Sequence, residues 1–343
     1  MRLSSPCLPL LGLLLAGCSA SSELPSAPAI DAGLRANAPG YTRVKLPLQD
    51  ATGVNDSGVI VGYVKGVGAY WINGTRRVLP PPAPPYTTYW ASNISESGGI
   101  VGYKFGGNSA NYGGLFWPTA TSAPVQLPHL GGVSTQALDV NSTSVVVGVS
   151  RSPLGQWHAF KWSSSGGIVD LHPAGYLSST AMRINDAGYI VGFADSPGPM
   201  AHRDGIRWRP DGTIDIHATS DPVKSGLFGL NRAGDAAGQN PSFGATIYWL
   251  NNTLQFVGGP LGVQQARALT DLYRVVGVWV DPMNGQKPWT SRKGVETLLP
   301  VATTESGWTA DANTCGWVVG WSYYQVGTSY TMAGTLWKPS NCD

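Results

Sequence analysis

The chain has 343 residues, a net charge of +2 and only 12% charged residues. Its basic residues cluster no further than pairs such as Arg76 and Arg77. It therefore lacks the electrostatic footprint of a nucleic-acid-binding protein, and we predict no nucleic acid partner. With 45 glycines and no stretch of sustained helical period, the composition predicts a protein of strands and loops.

The first predicted element is an export signal. The apolar run LPLLGLLLA (8–16) is too short to cross a bilayer but suits the hydrophobic region of a signal peptide. It leads into Leu15, Ala16, Gly17 and Cys18, an order that resembles the lipobox of bacterial lipoproteins. That resemblance implies a lipid on Cys18. Ordinary signal cleavage beside a chance cysteine is the alternative.

These features predict three parts of the chain. Residues 1–17 are a lipoprotein signal peptide, residues 18–40 are the lipidated Cys18 and a flexible tether of Ser, Pro and Ala, and residues 41–343 are the folded domain. Ser19 is not the Asp that retains enterobacterial lipoproteins at the inner membrane. We expect a bacterial cell-envelope protein, anchored by lipid in the outer membrane and facing the periplasm or the exterior.

One phrase recurs along the predicted domain, as in VNDSGVIVGY (54–63) and INDAGYIVGF (184–193). Each of seven copies ends its Val-Gly or Ala-Gly step in an anchor glycine, and these are Gly62, Gly102, Gly148, Gly192, Gly238, Gly277 and Gly320. Seven residues before each anchor stands a short polar residue, and these are Asn55, Ser95, Asn141, Asn185, Asn231, Thr270 and Asn313. Such side chains hydrogen-bond to nearby backbone in tight turns. The phrase therefore predicts a β-hairpin.

Each copy continues with a strand that ends in tryptophan and then a second hairpin. The tryptophans are Trp71, Trp117, Trp162, Trp208, Trp249, Trp289 and Trp337, and we expect them to be structural. In the third copy the four strands are A (137–141), B (145–150), C (158–162) and D (167–171). Four short strands in roughly 40 residues are the size of a propeller blade.

The two ends of the domain favour a closed ring. The last copy stops after strand C, whereas the strand YTRVKLPL (41–48) precedes the first copy and has the pattern of a D strand. We predict an all-β, seven-bladed β-propeller of four-stranded antiparallel blades, closed by strand 41–48 completing the last blade. A superhelical or two-sheet arrangement of the same hairpins is the alternative. We expect a monomer.

Four cysteines allow one disulfide. Cys7 leaves with the signal peptide and Cys18 carries lipid, so Cys315 and Cys342 remain to pair in an oxidising compartment. Cys315 falls in the A–B turn of the last copy and Cys342 follows its C strand. Both positions belong to the same edge of the predicted blade.

The pattern Asn-x-x-Gly-x-hydrophobic-Val-Gly, followed by HAFKW at 158–162, resembles the bacterial extracellular repeats of the HAF family. The similarity covers about 51–337. The triplet His158, Ala159 and Phe160 occurs once, and other copies read GAYW, GLFW, GIRW, TIYW and GTLW. The resemblance implies an exported repeat protein without a known reaction. For His158 we expect a strand residue that packs or hydrogen-bonds between blades.

The sequence contains none of the common motifs for metals, phosphates or catalytic nucleophiles, so we predict no cofactor, no metal and no assigned catalytic residue. A propeller ligand is expected at the D–A and B–C loops, which here are long and aromatic. The candidate ligand-binding residues are Tyr86, Tyr89, Trp90, Tyr103, Phe105, Tyr112, Trp157, Tyr323 and Tyr324. Packing against the blades is the other reading for each of them.

Two functions fit this pattern. The first is a binding, adhesion or interaction scaffold whose loop face contacts a glycan, a peptide or an envelope protein. The alternative is an exported polysaccharide-active hydrolase or lyase, which requires acids on that face. Its candidates are Asp195, His202, Asp204, Asp221, Asp281 and Glu305.

Overall fold

The computed structural model describes residues 40–342 except 107–111, 199–200, 218–224, 241–244, 251–252, 259–263, 282–284, 293–294 and 303–304, and it describes no side chain at 240–264 or 281. The predicted signal peptide, Cys18 and the tether up to residue 39 lie outside the described residues. So does Asp221, together with the side chain of Asp281.

The described residues form β-strands and no helix. Six sheets each contain four consecutive strands. The first two sheets are β2 (Asp50–Val54), β3 (Ile60–Val64), β4 (Val67–Ile72), β5 (Thr75–Val78), and β6 (Tyr89–Ile94), β7 (Ile100–Phe105), β8 (Tyr112–Trp117), β9 (Val125–Gln126). The next two are β10 (Thr135–Val140), β11 (Val146–Arg151), β12 (Trp157–Ser163), β13 (Gly167–Asp170), and β14 (Ser178–Ile184), β15 (Ile190–Asp195), β16 (Arg203–Trp208), β17 (Ile214–His217).

The remaining sheets follow the same order of strands A, B, C and D. They are β18 (Gly226–Leu230), β19 (Ala236–Asn240), β20 (Ala245–Leu250), β21 (Thr253–Gly258), and β22 (Gln264–Leu269), β23 (Arg274–Asp281), β24 (Gly285–Arg292), β25 (Val295–Leu298). A seventh sheet combines the two ends of the domain, in the order β1 (Tyr41–Lys45), β28 (Ser329–Pro339), β27 (Val318–Val326), β26 (Gly307–Ala312). All pairings in these sheets are antiparallel.

The sheets pack side by side around a common axis. Each A strand contacts the A strand of the next sheet, from β2 through β6, β10, β14, β18 and β22 to β26, and β26 contacts β2. The hydrophobic clusters lie between neighbouring sheets, as where Val61 and Leu79 of one sheet meet Ile100 and Trp117 of the next. The chain is thus an all-β propeller of four-stranded antiparallel blades, as predicted.

Each A strand carries a β-bulge opposite its anchor glycine. In β14 the pairing shifts between Ala181 and Arg183, so Met182 has no partner on β15. A Cβ on Gly192 would overlap the carbonyl oxygen of Thr180, and every other anchor glycine meets its A strand in the same way. Glycine is therefore required for the close approach of strands A and B. A bulge redirects the unpaired side chain, here toward the axis.

In four of the seven A–B turns, the repeated asparagine also joins neighbouring blades. Asn185 Oδ1 accepts the N–H of Tyr189 at 2.9 Å, which closes its own turn. Its Nδ2 donates to the carbonyl oxygen of Asn231 in the next sheet at 2.8 Å. The same inter-blade bond joins three further pairs, which are Asn55 to Ser95, Asn141 to Asn185, and Asn313 to Asn55. The last of these links the seventh sheet to the first.

The strand-C tryptophans also connect blades. The indole nitrogens of Trp117, Trp208 and Trp337 each donate to a carbonyl oxygen just after the D strand of the preceding blade, at 2.9 Å. Trp117 and Trp337 are fully buried. This geometry agrees with the structural role expected for these residues.

The closing strand is shorter than predicted. Strand β1 ends at Lys45, and the rest of the 41–48 segment is a linker in which Leu46 and Leu48 are buried in the core and Pro47 is exposed. Tyr41 pairs with Pro339 and Lys45 with Thr335.

The Cys315–Cys342 disulfide is present, as predicted, and ties the chain end to an A–B turn. Among the described residues no helix is long and apolar enough to cross a lipid bilayer.

The double hydrogen bonding of Asn185 predicts how its substitutions change stability. Asn185→Ala leaves the N–H of Tyr189 without its partner and removes the inter-blade bond to the carbonyl of Asn231, which still accepts the N–H of Gly234. We therefore expect the free energy of unfolding to fall by about 1–3 kcal/mol. Asn185→Ser should lose less, because Ser95 keeps the equivalent turn bond with its hydroxyl at 3.0 Å. Urea unfolding measures both. A loss below about 0.5 kcal/mol for Asn185→Ala, the usual range of surface substitutions, would contradict the inter-blade role.

Candidate functional site

Two cavities lie along the axis of the propeller. The larger, about 300 Å³, is formed by the starts of the A strands and is called the mouth cavity here. The smaller, about 170 Å³, is formed by the A–B turns at the opposite end. Arg183 lines both cavities and therefore lies between them. The two cavities are therefore compartments of one axial channel. The mouth cavity is its upper compartment, and the smaller cavity at the A–B turns is its lower compartment.

The seven bulges supply the wall of the mouth cavity. Each bulged residue has no partner on strand B, and all seven line this cavity; they are Thr52, Ser92, Leu138, Met182, Phe228, Arg267 and Ala310. No two of these side chains are the same residue type. The repeated backbone therefore delivers one non-repeated side chain per blade to a common cavity.

Aromatic rings form a large part of the same wall. Trp90 and Tyr103, both predicted from the sequence, line the mouth cavity. Tyr63 stacks on Trp90 with 4.4 Å between ring centroids and 11° between planes. Sequence reasoning missed Tyr63, Phe228, Trp308 and Trp321, which also line the cavity. Tyr63 and Trp321 directly follow anchor glycines. The residue after each anchor glycine could therefore have been examined from the sequence as a residue that lines the cavity.

Further aromatic residues extend this wall outward across the same face. Phe105 lies edge-on to Trp90 at 4.6 Å, Tyr112 lies 5.4 Å from Phe105, and Trp157 lies 6.5 Å from Tyr112. We call Trp90, Phe105, Tyr112 and Trp157 the aromatic row. Two neighbouring blades contribute these four rings, which lead outward from the mouth cavity.

The other predicted aromatic residues lie elsewhere. Tyr89 is 2% exposed, packs between blades and donates its hydroxyl to the carbonyl of Leu79, so its contacts are those of a core residue. The ring of Tyr86 lies 3.7 Å from Lys104 Nζ.

Tyr323 and Tyr324 belong to the long β27–β28 hairpin. Tyr324 lies under the guanidinium of Arg43 at 3.9 Å. Arg43 also donates to the carbonyl oxygen of Tyr323 at 2.6 Å. These two tyrosines thus hold the closing strand, and neither lines the mouth cavity.

The carboxyl group of Asp50 and the guanidinium of Arg267, whose Nη2 donates to Gln265 at 2.6 Å, belong to residues that line the mouth cavity. Burial raises the pKa of Asp50 to about 7, and its Oδ1 has no hydrogen-bond partner among the described atoms. Arg267 lies between two rings, 4.1 Å from Trp308 and 5.2 Å from Phe228. Burial, assisted by Arg183, lowers the Arg267 pKa to about 10, so it stays charged near neutral pH. Its Nε is also without a partner among the described atoms.

The floor between the two compartments is a charged cluster. Arg183 donates to the carbonyl oxygens of Met182 and Ala310, at 3.1 and 3.2 Å. Burial raises the pKa of Asp139 to about 7, and the Arg183 charge opposes that rise. Burial likewise raises the pKa of Asp311, again against Arg183. Asn93 donates to Asp139 at 2.8 Å. These mutual contacts account for the floor as structure.

Acids in the lower compartment are occupied by the ring itself. Asp186 Oδ1 accepts the N–H of Ser142 at 2.7 Å, and Glu96 Oε2 accepts the N–H of Asp56 at 2.8 Å. Asp56 and Asp271 accept equivalent backbone bonds from the preceding blade. These carboxylates continue the inter-blade pattern of the repeated asparagines.

The acids proposed for an enzyme are engaged in separate contacts. Asp195 accepts two hydrogen bonds from Arg203, at 2.8 and 3.1 Å, and Asp204 accepts the hydroxyl of Tyr176 at 2.6 Å. His202 lies 3.3 Å from Asp204. Among the described residues that line the mouth cavity, Asp50 is the sole carboxylate. The two-carboxylate arrangement that glycoside hydrolysis commonly uses is therefore not formed there.

Glu305 is held by the closing strand. Arg43 Nη1 donates to its carboxylate at 2.5 Å, in an ion pair that is mostly buried. Burial acts to raise the pKa of Glu305, but the bonds from Arg43 and from backbone N–H groups outweigh it and lower the pKa. A carboxylate with a lowered pKa is a poor general acid.

His158 contacts its own blade. Its ring stacks on His172 at 3.9 Å, and its Nδ1 lies 2.8 Å from Asp170 Oδ2. His158 therefore has a structural role, as expected, but these contacts lie within one blade and not between blades as predicted.

The raised pKa of Asp50 predicts a pH-dependent stability difference. Between its unfolded pKa near 4 and its folded pKa near 7 the folded protein binds the extra proton, so stability falls as pH rises across this interval and the full cost of ionised Asp50 is present above pH 7. Asp50→Asn removes this cost, and we expect the variant to gain at least about 1 kcal/mol on the wild type between pH 5 and pH 8. Urea unfolding of both proteins at both pH values isolates the contribution of Asp50 ionisation to stability, because the two proteins share every other titratable group. A difference that does not change with pH would contradict the assignment.

No protein-family model and no curated protein sequence matches this chain. Several solved structures share its fold. YCF48 from Cyanidioschyzon merolae aligns with a TM-score of 0.54 at 13% identity, covering 88% of this chain and 99% of that one. YCF48 bound to D1 peptide aligns at 0.53 and 12% identity, covering 90% and 98%, and a chain of the mitotic checkpoint complex aligns at 0.51 and 11%, covering 92% and 97%. At these identities the likeness establishes the fold alone.

Proposed function

We propose that this chain is an exported, lipid-anchored binding scaffold that takes its ligand at the mouth cavity and the aromatic row. Its seven sheets serve as the seven blades of one closed ring, which holds the cavity wall in a fixed geometry. The carrying observation is that seven different bulged side chains converge on one aromatic cavity. The resemblance of the repeats to the exported HAF family supports the location.

The composition of the cavity favours binding over catalysis. Flat aromatic rings offer large contact area with few rotatable bonds, so they bind ligands at low entropic cost. Apart from its six aromatic rings, the cavity is lined by the polar side chains of Asp50, Thr52, Ser92, Arg183 and Arg267 and by four apolar residues. Mostly apolar walls with a small number of polar groups are typical of ligand sites. No second carboxylate faces the mouth cavity in the described part of the chain.

Attachment to the envelope follows from Cys18 in this proposal. Two or more acyl chains on one residue anchor a protein stably, whereas a single chain does not. Cys18→Ser removes the acylation site, so we expect the protein to move from the membrane pellet to the soluble fraction. Immunoblots of fractions after salt and carbonate washes measure the shift. Continued sedimentation of the variant with membranes would contradict lipid anchoring.

Binding is tested with the mouth cavity and a matched tryptophan on the opposite face. Full-length protein is immobilised from detergent and exposed to solubilised envelopes, and retained carbohydrate, lipid and protein are each quantified. We expect the Trp90→Ala, Trp308→Ala double variant to lose at least tenfold of one retained class, because it removes two walls of the cavity. Trp317→Ala, a half-buried tryptophan beside an A–B turn, is the control and should retain the ligand.

Circular dichroism and thermal melting establish that each variant is folded. Equal retention by the folded double variant and the wild type would contradict binding at the mouth cavity.

A further inference from the structure

We propose that the ligand of the mouth cavity is a neutral sugar unit at the end of an oligosaccharide chain. This inference rests on the proposed binding function and specifies its ligand. It is drawn from three properties of the cavity, which are its unpaired polar atoms, its charge balance and the aromatic surface that leads out of it.

The first property is the set of polar atoms without partners. Asp50 Oδ1, Trp90 Nε1 and Arg267 Nε are buried, belong to residues that line the cavity, and have no hydrogen-bond partner among the described atoms. They comprise one acceptor and two donors. Buried polar groups in folded proteins are nearly always satisfied, so these three point to a ligand. A sugar supplies hydroxyl groups that both donate and accept, which is the combination required.

The second property is the charge balance. Asp50, when ionised, and Arg267 contribute one negative and one positive charge to the cavity wall, while Arg183 in the floor faces the carboxyl groups of Asp139 and Asp311. A cationic ligand drawn to Asp50 would meet Arg267, and an anionic ligand drawn to Arg267 would meet Asp50. Burying an uncompensated charge in such a site is costly. A neutral ligand rich in hydroxyl groups can hydrogen-bond to both Asp50 and Arg267 without bringing a further charge into the cavity.

The third property is size and continuity. A volume of about 300 Å³ is near the lower end of the range for small-molecule sites, so it suits a ligand of about one ring. From Trp90 the aromatic row continues through Phe105 and Tyr112 to Trp157, with centroid spacings of 4.6, 5.4 and 6.5 Å. The apolar C–H faces of successive sugar rings stack on such surfaces. The arrangement therefore fits an oligosaccharide whose terminal unit enters the cavity.

The test uses full-length protein in detergent and defined probes. A glycan array of neutral oligosaccharides identifies binders, and titration calorimetry with maltotriose, cellotriose and chitotriose gives dissociation constants. Tryptophan emission is recorded in parallel, because Trp90, Trp308 and Trp321 line the cavity. We expect at least one neutral oligosaccharide to bind and to change this emission.

Substitutions that keep side-chain size then test the polar groups. Asp50→Asn and Arg267→Gln should each weaken binding of that oligosaccharide at least tenfold while the melting curve stays cooperative. Lys45→Gln, an exposed charge on the closing strand, is the matched control and should bind like the wild type. Trp157→Ala should weaken a trisaccharide more than the corresponding monosaccharide, because only the longer ligand extends from the cavity to Trp157.

Three results would overturn the inference. They are absence of any neutral glycan binder on the array, unchanged affinity in both Asp50→Asn and Arg267→Gln, and competition by tetramethylammonium or citrate at concentrations where neutral sugars do not compete. If the Trp90 and Trp308 double variant still loses an envelope ligand in those cases, the binding function stands and only the ligand class is wrong. If the double variant also retains envelope ligands like the wild type, both the sugar ligand and the binding function are contradicted.

Discussion

The close approach of strands A and B at each anchor glycine is the constraint on which the rest of the structure depends. At Gly192 there is no room for a Cβ beside the carbonyl of Thr180, and Met182 is extruded from the strand pairing. The bulge turns a side chain that would otherwise alternate between blade faces toward the axis. Because the constraint is repeated in every sheet, the channel wall is built from one residue per blade.

The asparagines of four A–B turns join neighbouring hairpins into a ring. One amide group closes the turn through its oxygen and reaches the next blade through its nitrogen, so turn geometry and blade packing are coupled. Ser95 and Thr270 have no amide nitrogen, and they keep only the turn bond. Arg43, which joins Glu305, Ser322 and Tyr323, and the Cys315–Cys342 disulfide hold the two chain ends in the final sheet. This rigid frame leaves the bulged residues free to differ.

Much of the fold could be predicted from the sequence because the same pattern of strands and turns occurs in seven copies. The strand order, the pairing of the N-terminal strand with the last sheet and the disulfide all follow from counting copies and their missing parts. The cavity could not be predicted in the same way. Tyr89 and Trp90 are adjacent, yet one enters the core between blades and the other lines the channel, because successive side chains of a strand point to opposite faces.

The β-bulge made the channel residues harder to predict from the sequence. A single unpaired residue reverses the alternation of side chains along strand A, so it changes which residues face the channel. Phe228 and Arg267 lie in A strands, where loop-based reasoning does not search, and Tyr63 lies inside the repeated phrase itself. These residues are recognised as channel residues only once the pairing of strand A with strand B is known. The loops still supply the aromatic row, so the site combines repeated and variable parts of the chain.

A saturation mutagenesis library of the full chain, sorted once for folded protein and once for ligand retention, tests the central claim most directly. The repeated asparagine and glycine positions should be intolerant in the folding sort. The seven bulged positions should tolerate substitution in the folding sort and restrict it in the ligand sort. If the bulged positions are as permissive for ligand retention as exposed residues of the D strands, the channel is structural and the account is contradicted.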